Sequence, residues 1–524
     1  MDKFPAEIFR LIIKGVTNTS DFKNLRLVSK SLSVIVTEKL FSHCSVNLQN
    51  LNEGYDEDNE DEESEEVAEI DSAIPLTNLE KIIRVPRLKQ AVRSVRYITS
   101  LEPYANSYLN SYAEKHPPLH FNISMKGIIE KCNRLPNLTT IAVEFADFCT
   151  FLGEEDERGF YLTPAEDSHE YRTAVLKELF RSLNDPRYPT PSLTTLSLKN
   201  LQNVNDASLT GSKDFLAVLK RITNLRMRIV VEYEKATPES SWSLPPMHDF
   251  FAELPSTWLA PCADNLTSLT IHCIHSWGYF PKCDWRSVHF PKLKNLELGN
   301  YTFSHDWQLD WILSHGETLE VLKLDDCPIL AGIRHLGDLD DENYAMTPMD
   351  NGGDSEPTIW HYKTKWADYF QKMQNNLRKL RLLQVGSGEW EMGENFDGGE
   401  IRLAEEPSKD VGRKYNRFDP PIAYPYKYFK RNRFSTPWVD KRHFPENSSD
   451  EKPVGGLYDN DKRSQPERDQ SSYDGSMKNN EFNSYCYALR AIESLELVSN
   501  TTAELHFLDA TVAHIFIFLD SNPS

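Results

Sequence analysis

The chain has 524 residues, a formal charge of −21, 39% hydrophobic residues and 26% charged residues. That length fits two or more domains or one extended repeat array, with enough sequence to bury a large core. No apolar stretch approaches the roughly 18 residues a spanning helix needs. Asp2, Pro5 and Glu7 interrupt the region where a secretory signal would be apolar. The negative field disfavours nonspecific binding to a phosphate backbone.

The first forty residues carry the densest signal. Pro5 suits a first helical turn. Ile8, Phe9, Ile12, Ile13 and Val16 then recur at helical spacing. Thr19-Ser20-Asp21 reads as a turn and helix cap. A second periodic segment runs through Phe22, Leu25, Leu27 and Val28. A third follows Ser29-Lys30, with Leu32, Ile35, Val36, Leu40 and Phe41. Three short helices are therefore expected. So small a unit is marginal alone, and it gains by packing on a neighbour, either a partner protein or the next domain.

In order and spacing, Phe4-Pro5-Ala6-Glu7-Ile8, Asp21-Phe22 and Leu25-Arg26-Leu27-Val28-Ser29-Lys30-Ser31-Leu32 resemble the F-box motif. Phe4, Phe22 and Leu32 depart from the usual residues but keep their apolar character. The resemblance implies docking on the Skp-family adaptor, and through it on a cullin. By motif position, Pro5, Ile8, Leu25, Val28 and Leu32 would contribute to that surface. The physical mode would be helix-in-groove packing with apolar anchors.

Residues 53–69 hold eleven acidic residues and no basic one. The surrounding stretch, 51–72, reads as a solvated, disordered loop.

Beyond it one pattern recurs: apolar-x-x-apolar-x-apolar. It begins at Leu138, Leu193, Ile222, Leu266, Leu293, Leu319, Leu377 and Ile492, with a candidate first copy at Val92. Several steps fall in the 20–29-residue leucine-rich-repeat range. Helical spacing between copies is visible at 171–183, 215–222, 307–315 and 366–377. Stacked strand-helix units would bury a continuous apolar core that no single unit could form. An ordinary α/β domain with parallel strands is the alternative. The expected fold class is α/β: residues 1–45 as an F-box, then 75–524 as an irregular, curved leucine-rich-repeat solenoid of about nine strands. Insertions are expected at about 337–357 and 386–485. This arrangement resembles that of filamentous-fungal F-box proteins with degenerate leucine-rich repeats.

Side chains alternate along a strand. The x positions would therefore line the concave face. These include Ser94, Thr140, Thr195, Asn295, Glu297, Val321, Lys323, Lys379 and Arg381. A polar lining of this kind suits recognition of a protein substrate.

Residues 412–444 interleave nine Lys/Arg with nine aromatics. They read chiefly as an insertion packed on the repeats, with substrate contact and single-stranded nucleic acid as alternatives. Residues 447–480 and 337–357 read as flexible polar loops, and nothing in the sequence fixes the separation of the carboxylates in 337–357.

Eight cysteines are too few for a disulfide scaffold and are expected as reduced, buried thiols. The densest metal-ligand types are Cys262, His272, Cys273, His275 and Cys283. Adjacent strand residues point to opposite faces, which argues against a zinc site. No phosphate loop, nucleophile elbow or zinc helix is present in the sequence. The expectation is a non-catalytic, intracellular protein of cytoplasm or nucleus, with no cofactor, metal or membrane partner and with nucleic acid disfavoured as a partner. It would select substrates for a Skp-cullin-F-box ubiquitin ligase. A scaffold without ligase function, or a repeat-based interaction module, is the alternative.

Overall fold

The computed structural model describes residues 6–14, 16, 19–51, 77–99, 120–146, 149, 167–231, 245–325, 327–330, 332–335, 339–344, 358–364, 366–386, 388–390, 401–403 and 517–518. The acidic run 53–69, the basic aromatic segment 412–444, the polar stretch 447–480 and the repeat copy at Ile492 lie outside them.

The N-terminus forms three helices, α1 (Ala6–Lys14), α2 (Thr19–Leu25) and α3 (Lys30–Leu40). Ser29 explains where α3 starts. Its backbone is extended, and its Oγ accepts a hydrogen bond from Leu32 N at 3.2 Å. This is an N-cap, worth about 1 kcal/mol. Phe9, Ile13, Phe22, Leu32, Ile35 and Val36 close a small separate core, with Val16, Leu25 and Leu40 packed at its margin.

The rest is α/β. Nine parallel strands form one open sheet in chain order: β1 (His43–Asn47), β2 (Ser94–Ile98), β3 (Thr140–Glu144), β4 (Thr195–Gln202), β5 (Asn224–Val230), β6 (Ser268–Trp277), β7 (Asn295–Tyr301), β8 (Val321–Asp325) and, after β9 (Gly332–His335) and β10 (Thr358–His361), β11 (Leu382–Gly386). The short β9 and β10 pair with each other, as do β12 (Gly388–Trp390) and β13 (Ile401–Leu403). The final pair of strand residues, β14 (Ile517–Phe518), adds antiparallel to β11.

Helices cover one side: α4 (Asn78–Ile83), α5 (Pro86–Ala91), α6 (Ile123–Glu130), α7 (His169–Leu183), α8 (Ala207–Thr210), α9 (Lys213–Leu219), α10 (Pro245–Leu254), α11 (Asp306–Leu313) and α12 (Trp366–Asn376). The helical stretches read from sequence at 171–183, 215–222, 307–315 and 366–377 are thus largely recovered.

A single backbone device pins the register at every step. Arg93 N and Ser94 N both donate to Ser42 O. The next pair, Thr139 and Thr140, donates to Arg93 O, and the pattern passes through Thr139 O, Thr194 O, Thr223 O, Thr267 O and Lys294 O to Glu320 O. Each shared carbonyl satisfies two donors just ahead of a strand, so no step can slip by one residue without losing both.

This register places the repeating apolar positions together. Leu138, Leu193, Ile222, Leu266, Leu293, Leu319 and Leu380 occupy equivalent, buried positions before their strands. Within the strands, Val95, Ile141, Leu196, Leu225, Leu269, Leu296, Leu322 and Leu383 align, as do Tyr97, Val143, Leu198, Met227, Ile271, Leu298, Leu324 and Val385. Both rows join the helices in one continuous core.

Two features differ from the sequence reading. The first strand is β1, ahead of residue 75, where Phe41-x-x-Cys44-x-Val46 already follows the pattern. The copy placed at Leu377 is displaced by three residues. Leu382, not Lys379, pairs with Val321, and Leu377 instead bonds through its N–H to Met373 O at the end of α12.

Asparagine bends two of the strands near their C-terminal ends. Asn200 and Asn300 have φ of 63° and 57°, a left-handed conformation that asparagine tolerates better than most residues. Their Nδ2 groups donate to Phe145 O at 2.8 Å and Cys273 O at 2.7 Å, each on or just beyond the preceding strand.

Candidate functional site

Two surfaces carry features that the fold itself does not need. The first is the outside of the three-helix unit. Of the eight large apolar side chains exposed among the described residues, five come from it: Ile8, Ile12, Leu27, Val28 and Val34. Ile8 and Ile12 are four apart on α1 and form a stripe beside the inward-facing Phe9 and Ile13. Val28 is 52% exposed and Leu27 is 86% exposed, in the turn leading to α3.

The five residues picked out by the motif therefore divide. Ile8 and Val28 face solvent. Leu32 is buried and Leu25 packs at the margin of the small core, so both hold the helices together rather than presenting a surface. Pro5 lies outside the described residues.

The second surface is the side of the sheet opposite the apolar rows. Thr140, Thr195 and Asn295 stand in one row across it, joined in register by Ser94, Asn224 and Ser268. Glu297 and Lys323 stand in the next row with Arg96, Ser197, Arg226 and Thr270. A third row contains Glu144, Lys199, Arg228, His272, Gly299 and Asp325. Lys379 and Arg381 do not belong here. Arg381 precedes β11, aligned with Glu320, and its guanidinium approaches the Glu320 carboxylate at 4.0 Å. The equivalent positions on β11 are Leu382 and Gln384.

Most charges on this face are paired. Glu144 takes both Arg96 and Lys199, the latter at 2.5 Å. Burial lowers the pKa of Arg96. Glu297 and Lys323 pair at 3.0 Å with both side chains largely covered. His272 lies over Gly299, where a Cβ would collide with its ring, and reaches towards Asp325 at 3.8 Å. Burial, reinforced by Arg228, pushes the His272 pKa down to about 3. At neutral pH the imidazole is uncharged, so its contact with Asp325 is polar rather than an ion pair. Arg228 bonds to Asn200 Oδ1. Sequence reading had not singled out Arg96, Glu144, Lys199, Arg226, Arg228 or His272 as a group, although each sits at a position that alternation assigns to this face.

The group Cys262, His272, Cys273, His275 and Cys283 is split by the strand. His272 faces the polar side, whereas Cys273 is fully buried in the apolar core. Burial pushes Cys262 and Cys273 up to about 12 and His275 down to about 4. Among the described residues no three His, Cys, Asp or Glu side chains converge as metal ligands, and no helix is long and apolar enough to cross a membrane.

Residues 339–344, within the segment read as a flexible loop, are held in place. Lys282 Nζ lies 2.8 Å from Asp340 and 3.1 Å from Glu342, and Arg286 lies 2.7 Å from Glu342. Hydrogen bonds from Arg286, then Lys282, hold the Glu342 carboxyl down at about 2. Tyr344 stacks against both Tyr279 and His305. These carboxylates do have a fixed separation, set by basic partners on a distant segment that local sequence does not reveal.

No family model matches the chain, and no curated protein matches it.

Proposed function

We propose that the protein is the substrate-recognition subunit of a Skp-cullin-F-box ubiquitin ligase. The three-helix unit is the F-box, and the sheet with its helices is a leucine-rich-repeat solenoid whose polar face is concave. One observation carries the reading. Ile8 and Val28, at motif positions, are exposed on a helical unit that already has a closed core of its own. Exposed apolar side chains that a fold does not use are the usual anchors of an interface.

In this reading the adaptor covers Ile8, Val28 and their apolar neighbours, while a protein substrate lies against the polar sheet face. The subunit supplies no catalytic residue. It raises the effective concentration of substrate lysines near a partnered conjugating enzyme. Cytoplasm or nucleus would be its place of action.

Co-expression of the full chain with a Skp-family adaptor, followed by size-exclusion chromatography, tests the reading. A one-to-one complex is expected. Ile8→Asp with Val28→Asp should abolish it, since burying each apolar side chain is worth about 1.5–3 kcal/mol. The far-ultraviolet circular dichroism should stay unchanged. Failure of the wild-type chain to form a complex, or unchanged co-purification of the double variant, refutes the assignment.

A further inference from the structure

The centre of the polar face is locally basic. Strands β4, β5 and β6 contain Lys199, Arg226 and Arg228 and no Asp or Glu, within a chain of formal charge −21. Lys199 is paired to Glu144, and Arg228 is bonded to Asn200. Arg226 differs. Among the described residues its guanidinium makes no hydrogen bond or ion pair, and its Nε is buried. A guanidinium offers five donors, and leaving buried donors unused is costly.

The residues beside Arg226 on the adjacent strands carry no charge. In register it stands between Ser197 on β4 and Thr270 on β6, both small hydroxyl residues. The nearest acidic positions of its own row and the next are Glu144 on β3 and Glu297 on β7, each two strands away and each already bound to a cation. Adjacent strands are about 4.8 Å apart, so those carboxylates stand roughly 10 Å to either side.

We infer that the Arg226 guanidinium forms a subsite for an oxyanion carried by an extended segment of a protein ligand. A guanidinium fork matches the bidentate geometry of carboxylate and phosphate. The flanking Glu144 and Glu297 confine the site to one or two anionic residues. A nucleic acid would bring further phosphates against those carboxylates, so a locally charged peptide fits where a polyanion does not. The inference rests on the reading of this face as the target-binding surface. It is independent of whether the helical unit docks an adaptor.

The test uses the full chain without adaptor and three fluorescein-labelled peptides in a Gly/Ser/Ala frame. One carries adjacent glutamates, one a single phosphoserine, and one is neutral. Anisotropy is read at about 0.15 M salt, where only close charge contacts persist. At least one anionic peptide should bind more tightly than the neutral one, and Arg226→Gln should weaken it about tenfold or more. Arg226→Lys, which keeps the charge but loses the fork, should give an intermediate loss. Lys126→Gln, on α6, should change nothing. Binding of both anionic peptides means that a carboxylate suffices, and binding of the phosphoserine peptide alone identifies phosphate as the source. The inference is overturned if neither anionic peptide outbinds the neutral one, or if Arg226→Gln binds like wild type while its melting curve shows it folded. Because no adaptor is present, either result stands apart from the co-expression experiment.

Discussion

Acidification should unfold this protein well above the range where carboxylates titrate. Three histidines, one buried and two largely covered, set the effect. His315 is the clearest. Its Nε2 accepts from Phe290 N–H at 3.2 Å, so the ring proton sits on Nδ1, which donates to Trp311 O at 2.9 Å. A second proton has no place on Nε2 without breaking the Phe290 bond. Burial, then the neighbouring His289, pushes the pKa of His315 down to about 4. Burial pushes His275 to about 4 and His272 to about 3.

In the unfolded chain each would titrate near 6.5. Above that pH both states are neutral and the groups contribute nothing to the pH dependence. Below it the unfolded state takes up protons that the folded state refuses, so stability falls as pH drops from about 6.5 towards 4. At about pH 5 each histidine costs roughly 2 kcal/mol, and the three together roughly 6 kcal/mol. That rivals the whole stability of an ordinary domain, about 5–15 kcal/mol.

Urea unfolding followed by tryptophan emission would read this directly, because Trp311 packs against His315 at 4.7 Å. His315→Gln keeps both an acceptor and a donor but does not titrate. It should lose about 2 kcal/mol less than wild type between about pH 7.5 and 5. An identical loss in the two proteins would refute the assignment of His315 as a buried neutral group.

Other consequences follow from the fold. Arg172 and Asp167 form a fully buried pair at 2.6 Å that also binds Thr99 Oγ1, Ala146 N, Ala146 O and Asn200 O, tying the ends of β2, β3 and β4 to α7. Arg172→Leu strands a buried carboxylate and should cost about 3–5 kcal/mol in urea unfolding, with partial recovery when Asp167→Leu is added. Gly299→Ala drives a methyl group into the His272 ring. It should destabilise the protein by about 1–3 kcal/mol, whereas the same change at Gly127, where a Cβ meets nothing, should not. A neutral result at Gly299 would mean that the His272 ring does not lie across β7.

Much of the architecture was legible in the sequence because the apolar pattern has a physical cause. One position before each strand and two within it must meet the helices, and Leu, Ile and Val recur there. The pattern was ambiguous where apolar residues were abundant. Leu377, Leu380, Leu382, Leu383 and Val385 permit two frames, and only the shared carbonyl at Glu320 selects the one starting at Leu380. It was faint at β1, where Phe41 and Cys44 stand in for the usual leucines. The helical unit illustrates a different limit. Spacing identified its helices, but Leu32 and Ile8 are both apolar at motif positions, and only packing separates the core residue from the exposed one. Charge pairing was the least legible. Arg96, Glu144 and Lys199 meet across three strands that are each about fifty residues apart in sequence, so nothing local announces them.

The way the helical unit joins the sheet bears on how the two surfaces could work together. Only Phe41 and Ser42 separate α3 from β1. Phe41 packs against the main core, and Ser42 O is the first acceptor of the ladder that sets every later strand. Helix α3 also packs on α5. The exposed stripe of α1 and the Arg226 centre are therefore carried on one continuous framework. From β1 to β5 is four strand spacings, about 19 Å. A flexible linker would spread any target held near Arg226 over a wide volume, whereas a fixed framework keeps it in one place relative to whatever the helices hold. Under the proposed proximity mechanism, that fixed separation is what the fold contributes.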